Sequence, residues 1–147
     1  MNSAILCYSI FFTMVYFLSN SGNQTKPTPQ DVIKKYELYV LGMKTDSVVQ
    51  LFTTDAEIGH EGGSSIKGRD SIYHFLASFT NVKVIRNRDS ISNVFIKGDS
   101  AVVNGNYKQS VVISGKDTIN VAGLFTSNMI LDPNKGWLIW RMHTRSN

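Results

Sequence analysis

The sequence predicts an α+β fold in which three N-terminal helices pack on one face of a strongly bent antiparallel sheet to make a cone. Three observations predict it. Apolar residues recur at helical spacing over 32–43 and again over 72–79. From residue 82 onward the chain alternates like strands. Short turns at 97–100, 114–117 and 132–136 separate those runs, so consecutive strands form antiparallel hairpins.

Each element has its own local reason. Thr28 can cap a helix, Pro29 suits its first turn, and Asp31 opposes its dipole. Val32, Ile33, Tyr36, Val40 and Met43 then make one apolar stripe, and Gly42 weakens the last turn. Asp46 can cap a shorter second helix carrying Val48, Val49, Leu51 and Phe52. Ala56, Ile58 and His60 alternate with Glu57, Gly59 and Glu61, the pattern of a short strand. A loop over 62–65 leads to a third helix whose Ile72, Phe75, Leu76 and Phe79 face a core. Strands are expected over 82–88, 91–96, 101–113, 118–131 and 137–144.

The 147 residues suit one domain, and the first part lies outside it. Residues 4–18 are a mostly apolar run, shorter than a membrane span of about 20 residues. Ser19-Asn20-Ser21 follows, a small-x-small pattern suited to cleavage before Gly22. The expected organisation is a signal peptide over 1–21, a flexible tail over 22–28 and the domain over 29–147. A secreted or periplasmic location follows, without a stable membrane anchor once the leader is cleaved. The single cysteine, Cys7, lies in the leader, so the mature chain can have neither disulfides nor thiolate chemistry. The net charge of +4 is scattered, with local clusters only at Lys34-Lys35 and Arg86-Asn87-Arg88. A nucleic-acid surface needs a denser basic stripe with interleaved aromatics, so no nucleic acid is expected.

The stretch over 32–56, together with His60, builds one wall and the rim of a pocket. Tyr36 sits on the buried stripe, where a phenol can donate to a developing oxyanion. His60 shares a strand face with Ala56 and Ile58, and an imidazole titrating near about 6.5 can take or give a proton. The structural alternatives are a core tyrosine with a satisfied hydroxyl and a core histidine bonded to backbone or to Tyr36. Arg141 and His143 share one face of the last strand, alternating with Trp140 and Met142. An Arg141 facing a pocket needs an anion, either an acidic ligand group or a partner such as Glu57 or Glu61. Tyr107, Phe125, Trp137 and Trp140 either line an apolar cavity or pack as core. His74 falls on an outward-leaning helix position and no carboxylate is spaced to complete a site, so neither metal nor cofactor is expected.

The order of elements resembles the nuclear transport factor 2-like superfamily. Residues 32–56 resemble the opening of its steroid Δ-isomerases. Gly123-Leu124-Phe125-Thr126-Ser127 and the run from Lys135 and Gly136-Trp137 to His143 resemble its SnoaL-like, polyketide-cyclase-like branch, where G-x-F-T and G-W-x-I-x-x-x-H strands recur. The resemblance covers nearly the whole mature domain and carries fold rather than activity. It implies that Tyr36 stands where the isomerases place an oxyanion-hole tyrosine and His60 where they place the base. Their third group, a protonated acid, corresponds to the neighbourhood of Ser127, which has no carboxyl. It also implies that the face of the last strand bearing Arg141 and His143 lines the pocket.

Three functions fit this reading. The favoured one is an exported pocket protein that binds a small apolar or weakly acidic ligand through Arg141, His143, Tyr107 and Phe125. The second is a proton-transfer enzyme, an isomerase, cyclase or dehydratase, with His60 as base and Tyr36 as oxyanion donor. The third is a non-catalytic dimeric accessory domain. A homodimer is expected in any case, through an outer sheet face rich in Trp140, Met142 and Val111.

Overall fold

The computed structural model describes residues 26–147. The expected leader over 1–21, its Cys7, the cleavage position before Gly22 and most of the tail over 22–28 lie outside the described residues. Helix α1 (Pro29–Leu41) starts as its sequence dictates. The Asp31 backbone N–H donates to Thr28 Oγ1 at 3.3 Å and the Thr28 backbone N–H donates to Asp31 Oδ2 at 2.8 Å, a reciprocal cap. Val32 and Ile33 are buried, and Tyr36 and Val40 are partly buried against the core. Met43 leaves the helix with φ 51 and is exposed. Helix α2 (Thr45–Val49) carries the buried Val48 and Val49. Lys44, not Asp46, occupies its cap position, and Phe52 opens the next strand rather than extending the helix.

The strands are β1 (Phe52–His60), β2 (Ile66–Lys67), β3 (Val82–Lys97), β4 (Ser100–Ile113), β5 (Asp117–Asp132) and β6 (Gly136–Ser146). Helix α3 (Arg69–Ala77) lies between β2 and β3. The six strands form one sheet in the order β2-β1-β6-β5-β4-β3. The meander β3 to β6 is antiparallel throughout, as expected, while β1 joins β6 in parallel. The fold is thus α+β, with helices on one face of a curved, unclosed sheet. The two runs expected over 82–88 and 91–96 are a single strand, with register shifts between Val84 and Arg86 and between Ile91 and Asn93. Asp89, expected to lie in a break between strands, therefore sits in mid-strand opposite Tyr107.

The inner face of the sheet packs on the helices. Phe52, Ala56, Ile72, Val103, Met129 and Ile139 are at most 1% exposed and form the centre of the core. Arg69 Nε donates to the Phe52 carbonyl at 3.1 Å. That bond ties the start of α3 to the point where β1 shifts register against β6, between Phe52 and Glu57. Only half of the apolar face of α3 is covered. Ile72 is buried, while Phe75 and Phe79 are each 40% exposed and stack edge-to-face at 4.9 Å beside the open mouth of the cone.

The sheet bends where large rings lie over glycines. Gly105 faces Phe125 and Gly123 faces Tyr107 across neighbouring strands. A Cβ at Gly105 would stand 2.7 Å from the Phe125 ring, and one at Gly123 would stand 2.8 Å from the Tyr107 ring. The absent side chains are what let the two rings fold across their neighbours and point into the cone.

The outer face differs from expectation. Met142 is 6% exposed and faces inward, and Val111 lines an inner groove beside Tyr39 and Val40. The cause in β6 is a bulge: Asn128 pairs with Arg141 and Met129 pairs with Ile139, which leaves Trp140 without a partner. Ile139 and Met142 then both face the core. The exposed apolar residues of the outer face are Phe95 and Ile130, and its centre is a polar ladder. There Asn104 Nδ2 donates to Asn93 Oδ1 at 2.8 Å and Thr126 Oγ1 donates to Asn104 Oδ1 at 2.7 Å.

Candidate ligand-binding site

A cavity of about 510 Å³ opens between α1, α3 and the inner face of the sheet. Ile33, Phe75, Val121, Phe125 and Met142 make its apolar wall. Tyr36, Asn87, Asp89, Tyr107 and Gln109 bring polar groups to one side of it, and His60, Thr144 and Ser146 to another. Of the six residues expected in a site, four therefore line this one cavity: Tyr36, His60, Tyr107 and Phe125.

Burial, with a smaller push from Asp89, raises the Tyr36 phenol to about 12. It is therefore a hydrogen-bond donor at every physiological pH. His60 faces the cone but ends β1, and so lies exposed at the rim rather than in a dry interior. Its Nδ1 stands 3.0 Å from Thr144 Oγ1. The Thr144 hydroxyl also lies 3.4 Å from the Gly59 carbonyl, and His60 Nε2 stands 3.4 Å from Ser146 Oγ, so both ring nitrogens have hydroxyl partners at the rim.

Arg141 and His143 are not in the cone. They point from the opposite face of β6, where Glu57 gathers them. Arg141 stands 3.5 Å and His143 3.3 Å from the Glu57 carboxylate, and Lys67 adds a third contact at 3.9 Å. A Ser65 hydrogen bond, followed by Arg141, Lys67 and His143, holds the Glu57 carboxyl below its usual range. The Arg141 guanidinium also lies 4.7 Å over the Trp140 ring. The physical reason is burial: β6 must turn Ile139 and Met142 to the core, and its charged residues then take the wetter side. Ser127 is fully buried, and its hydroxyl is among the buried polar atoms without a partner.

The sequence reading missed Asp89. Burial first, and the neighbouring Glu37 second, push its carboxyl up to about 7. Glu37 Oε2 accepts from the Asp89 backbone N–H at 3.1 Å, which brings the two acidic residues together. Beside them, Asn87 Nδ2 donates to the Glu37 carbonyl at 3.2 Å and Gln109 Nε2 donates to Asn87 Oδ1 at 3.2 Å. The signal in the sequence was the alternation Asn87, Asp89, Ile91. The register shift after Val84 hid it, because the parity of inward residues changes there.

Comparison with known proteins agrees with this architecture. Among solved structures, the chain resembles a ketosteroid isomerase-like protein from Erwinia carotovora atroseptica, with TM-score 0.73 and 16% identity over 84% of this chain and 97% of that one. It also resembles a conserved protein from Planctomyces limnophilus, with TM-score 0.74 and 14% identity over 80% and 92% of the two chains. ActVI-ORFA from Streptomyces coelicolor superposes with TM-score 0.67 at 14% identity, over 80% of this chain and 93% of its own. At such identities the likeness is one of fold, and the fold is that of the nuclear transport factor 2-like superfamily. A search of curated protein sequences finds no significant match. The family model described as a SnoaL-like domain matches residues 30–143, nearly all of the cone. The chain therefore belongs to the SnoaL-like domain family.

Proposed function

We propose that the cone binds one small, neutral, mostly apolar ligand. The observation that carries this reading is the cavity itself: about 510 Å³ between apolar residues of α1, α3 and the sheet, with polar groups gathered at two places on its wall. The position of Arg141 narrows the ligand. Its guanidinium stands beside Glu57 on the other face, and among the described residues no Lys or Arg lines the cone to meet an acidic ligand.

Prodan, a neutral naphthalene ketone whose emission shifts to the blue in apolar surroundings, tests the reading. Binding should produce that shift. Phe75→Glu and Val121→Glu should each weaken binding by about tenfold or more, since each puts a charge against the apolar wall at an already exposed position. Phe95→Glu, on the outer face, should leave binding unchanged. Equal binding in all three variants would remove the cone from the account.

Proton-transfer chemistry in the same cone is the second reading, favoured by Tyr36 and His60 lining one cavity. On that reading, His60→Ala abolishes exchange of the α-protons of a bound ketone, and Tyr36→Phe slows it by about tenfold or more. Unchanged exchange in His60→Ala, followed by deuterium incorporation, counts against it.

A further inference from the structure

We propose that the outer face of the sheet carries an anion site, separate from the cone, in which Arg86, Arg88 and Lys108 hold a diphosphate group. The three side chains line an open cleft of about 550 Å³ together with Ser110 and Asn120. An irregularity in β3 puts the arginines there. Val82 and Val84 line the inner groove beside Tyr39, so strict alternation would send Arg86 and Arg88 inward as well. The register shift between Val84 and Arg86 reverses the parity. Asn87 and Asp89 then turn into the cone, and both arginines come out exposed on the other face.

This placement is unfavourable unless an anion joins it. Arg88 stands directly opposite Lys108, and Arg86 stands opposite Ser110 in the adjoining row. Opposite residues on paired strands are about 5 Å apart, and same-face neighbours along one strand about 7 Å. Like charges so placed repel. No Asp or Glu lines the cleft. The ion pairs among the described residues all gather at Glu57 on β1, with β6, β5 and β4 lying between it and β3. Among those residues, none of the three cations has a carboxylate partner.

The remaining polar groups favour the same ligand. Ser110 Oγ donates to Asn120 Oδ1 at 2.6 Å, which engages the oxygen of that amide and leaves its N–H groups to donate in the row of Arg86. A carboxylate is satisfied by one guanidinium fork and would leave the other cations facing each other. A diphosphate carries several negative charges on two tetrahedral centres, enough to meet both forks and the ammonium. No aromatic side chain lines the cleft, so a nucleobase has nothing to stack on. The group recognised is the diphosphate itself.

Calorimetric titration in about 50 mM salt tests the site, with inorganic diphosphate and methyl diphosphate as probes. Whichever binds more tightly identifies a free or an esterified source. Diphosphate should bind about tenfold more tightly than succinate, a dicarboxylate. Arg88→Gln and Lys108→Gln should each weaken it by about fivefold or more. Lys34→Gln and Lys35→Gln remove the same charge from exposed positions on α1 and should leave binding unchanged. Thermal denaturation gives a second readout. Lys108→Gln should be no less stable than the unsubstituted protein, because it removes a repulsion. Diphosphate at roughly tenfold over its Kd should raise the thermal midpoint of the unsubstituted protein by about 3 °C, and at that concentration leave the Arg88→Gln/Lys108→Gln double variant unmoved. Equal weakening by the α1 and strand variants would reduce the effect to diffuse charge and overturn the site. Equal affinity for succinate would overturn it as well. Binding to anionic vesicles, or self-association lost in Lys108→Gln, without affinity for diphosphate, would give the face to a membrane or to a second copy and also overturn it. None of these outcomes bears on the cone, which prodan reads separately.

Discussion

Asp89→Asn is expected to stabilise the protein by about 2 kcal/mol at about pH 8.5 and to have almost no effect below about pH 4. The sign follows from the direction of the shift. The folded-state value of Asp89 is raised from the ordinary 3.8 to about 7. Below the lower value, the carboxyl is protonated in folded and unfolded chains alike, and folding carries no penalty from it. Between the two values, the unfolded chain releases a proton that the folded chain keeps, so stability falls as pH rises. Above about 7 the carboxylate is charged in both states, and the full cost of holding it beside Glu37 in a partly dry cavity is present. The whole shift corresponds to about 4 kcal/mol, reduced here by roughly half because the cavity is open to water. Urea denaturation across this pH range checks it, and a stability gain that does not grow with pH would contradict the assignment. An acid that costs stability at neutral pH while facing an open cavity suits a ligand group better than a structural one.

Gly123→Val should have an effect of similar size and opposite sign, a loss of about 2–3 kcal/mol that is independent of pH. Any Cβ at this position meets the Tyr107 ring at 2.8 Å and, closer still, the Arg145 carbonyl of β6. The ring can rotate away, but only by swinging into the cavity it lines. The backbone of β6 can yield only by opening the β5–β6 ladder where Gly123 pairs with Ser146. The substitution should therefore lower the thermal midpoint and weaken prodan binding together. A valine variant of unchanged stability and affinity would mean that the glycine does not set the bend. The paired position, Gly105 beneath the Phe125 ring, should respond in the same direction.

The contrast between Tyr36 and Asp89 separates what could be read in the chain from what could not. Tyr36 lies on a helix whose start is marked by Thr28, Pro29 and Asp31 and whose stripe repeats without interruption. Its inward direction follows from a period that nothing disturbs. Asp89 lies on a strand with two register shifts, and each shift reverses which residues face inward. His60 is intermediate. Its face follows from alternation with Ala56 and Ile58, but its place at the exposed end of β1 depends on where the strand stops.

The sequence by itself determined the start of α1, its apolar stripe, the hairpin order of the meander and, from these, the cone. Those features are local: caps, periods and turn residues act within a few positions of one another. Only the tertiary structure decided that β1 lies parallel to β6, that a bulge at Trp140 accompanies Met142 turning inward, and that Arg141 and His143 join Glu57 outside the cone. It also decided that Glu37 and Asp89, 52 positions apart, meet beside Tyr36. Register and bulges are settled by which pairing buries the most apolar surface across the whole sheet, and that sum runs over residues far apart in the chain.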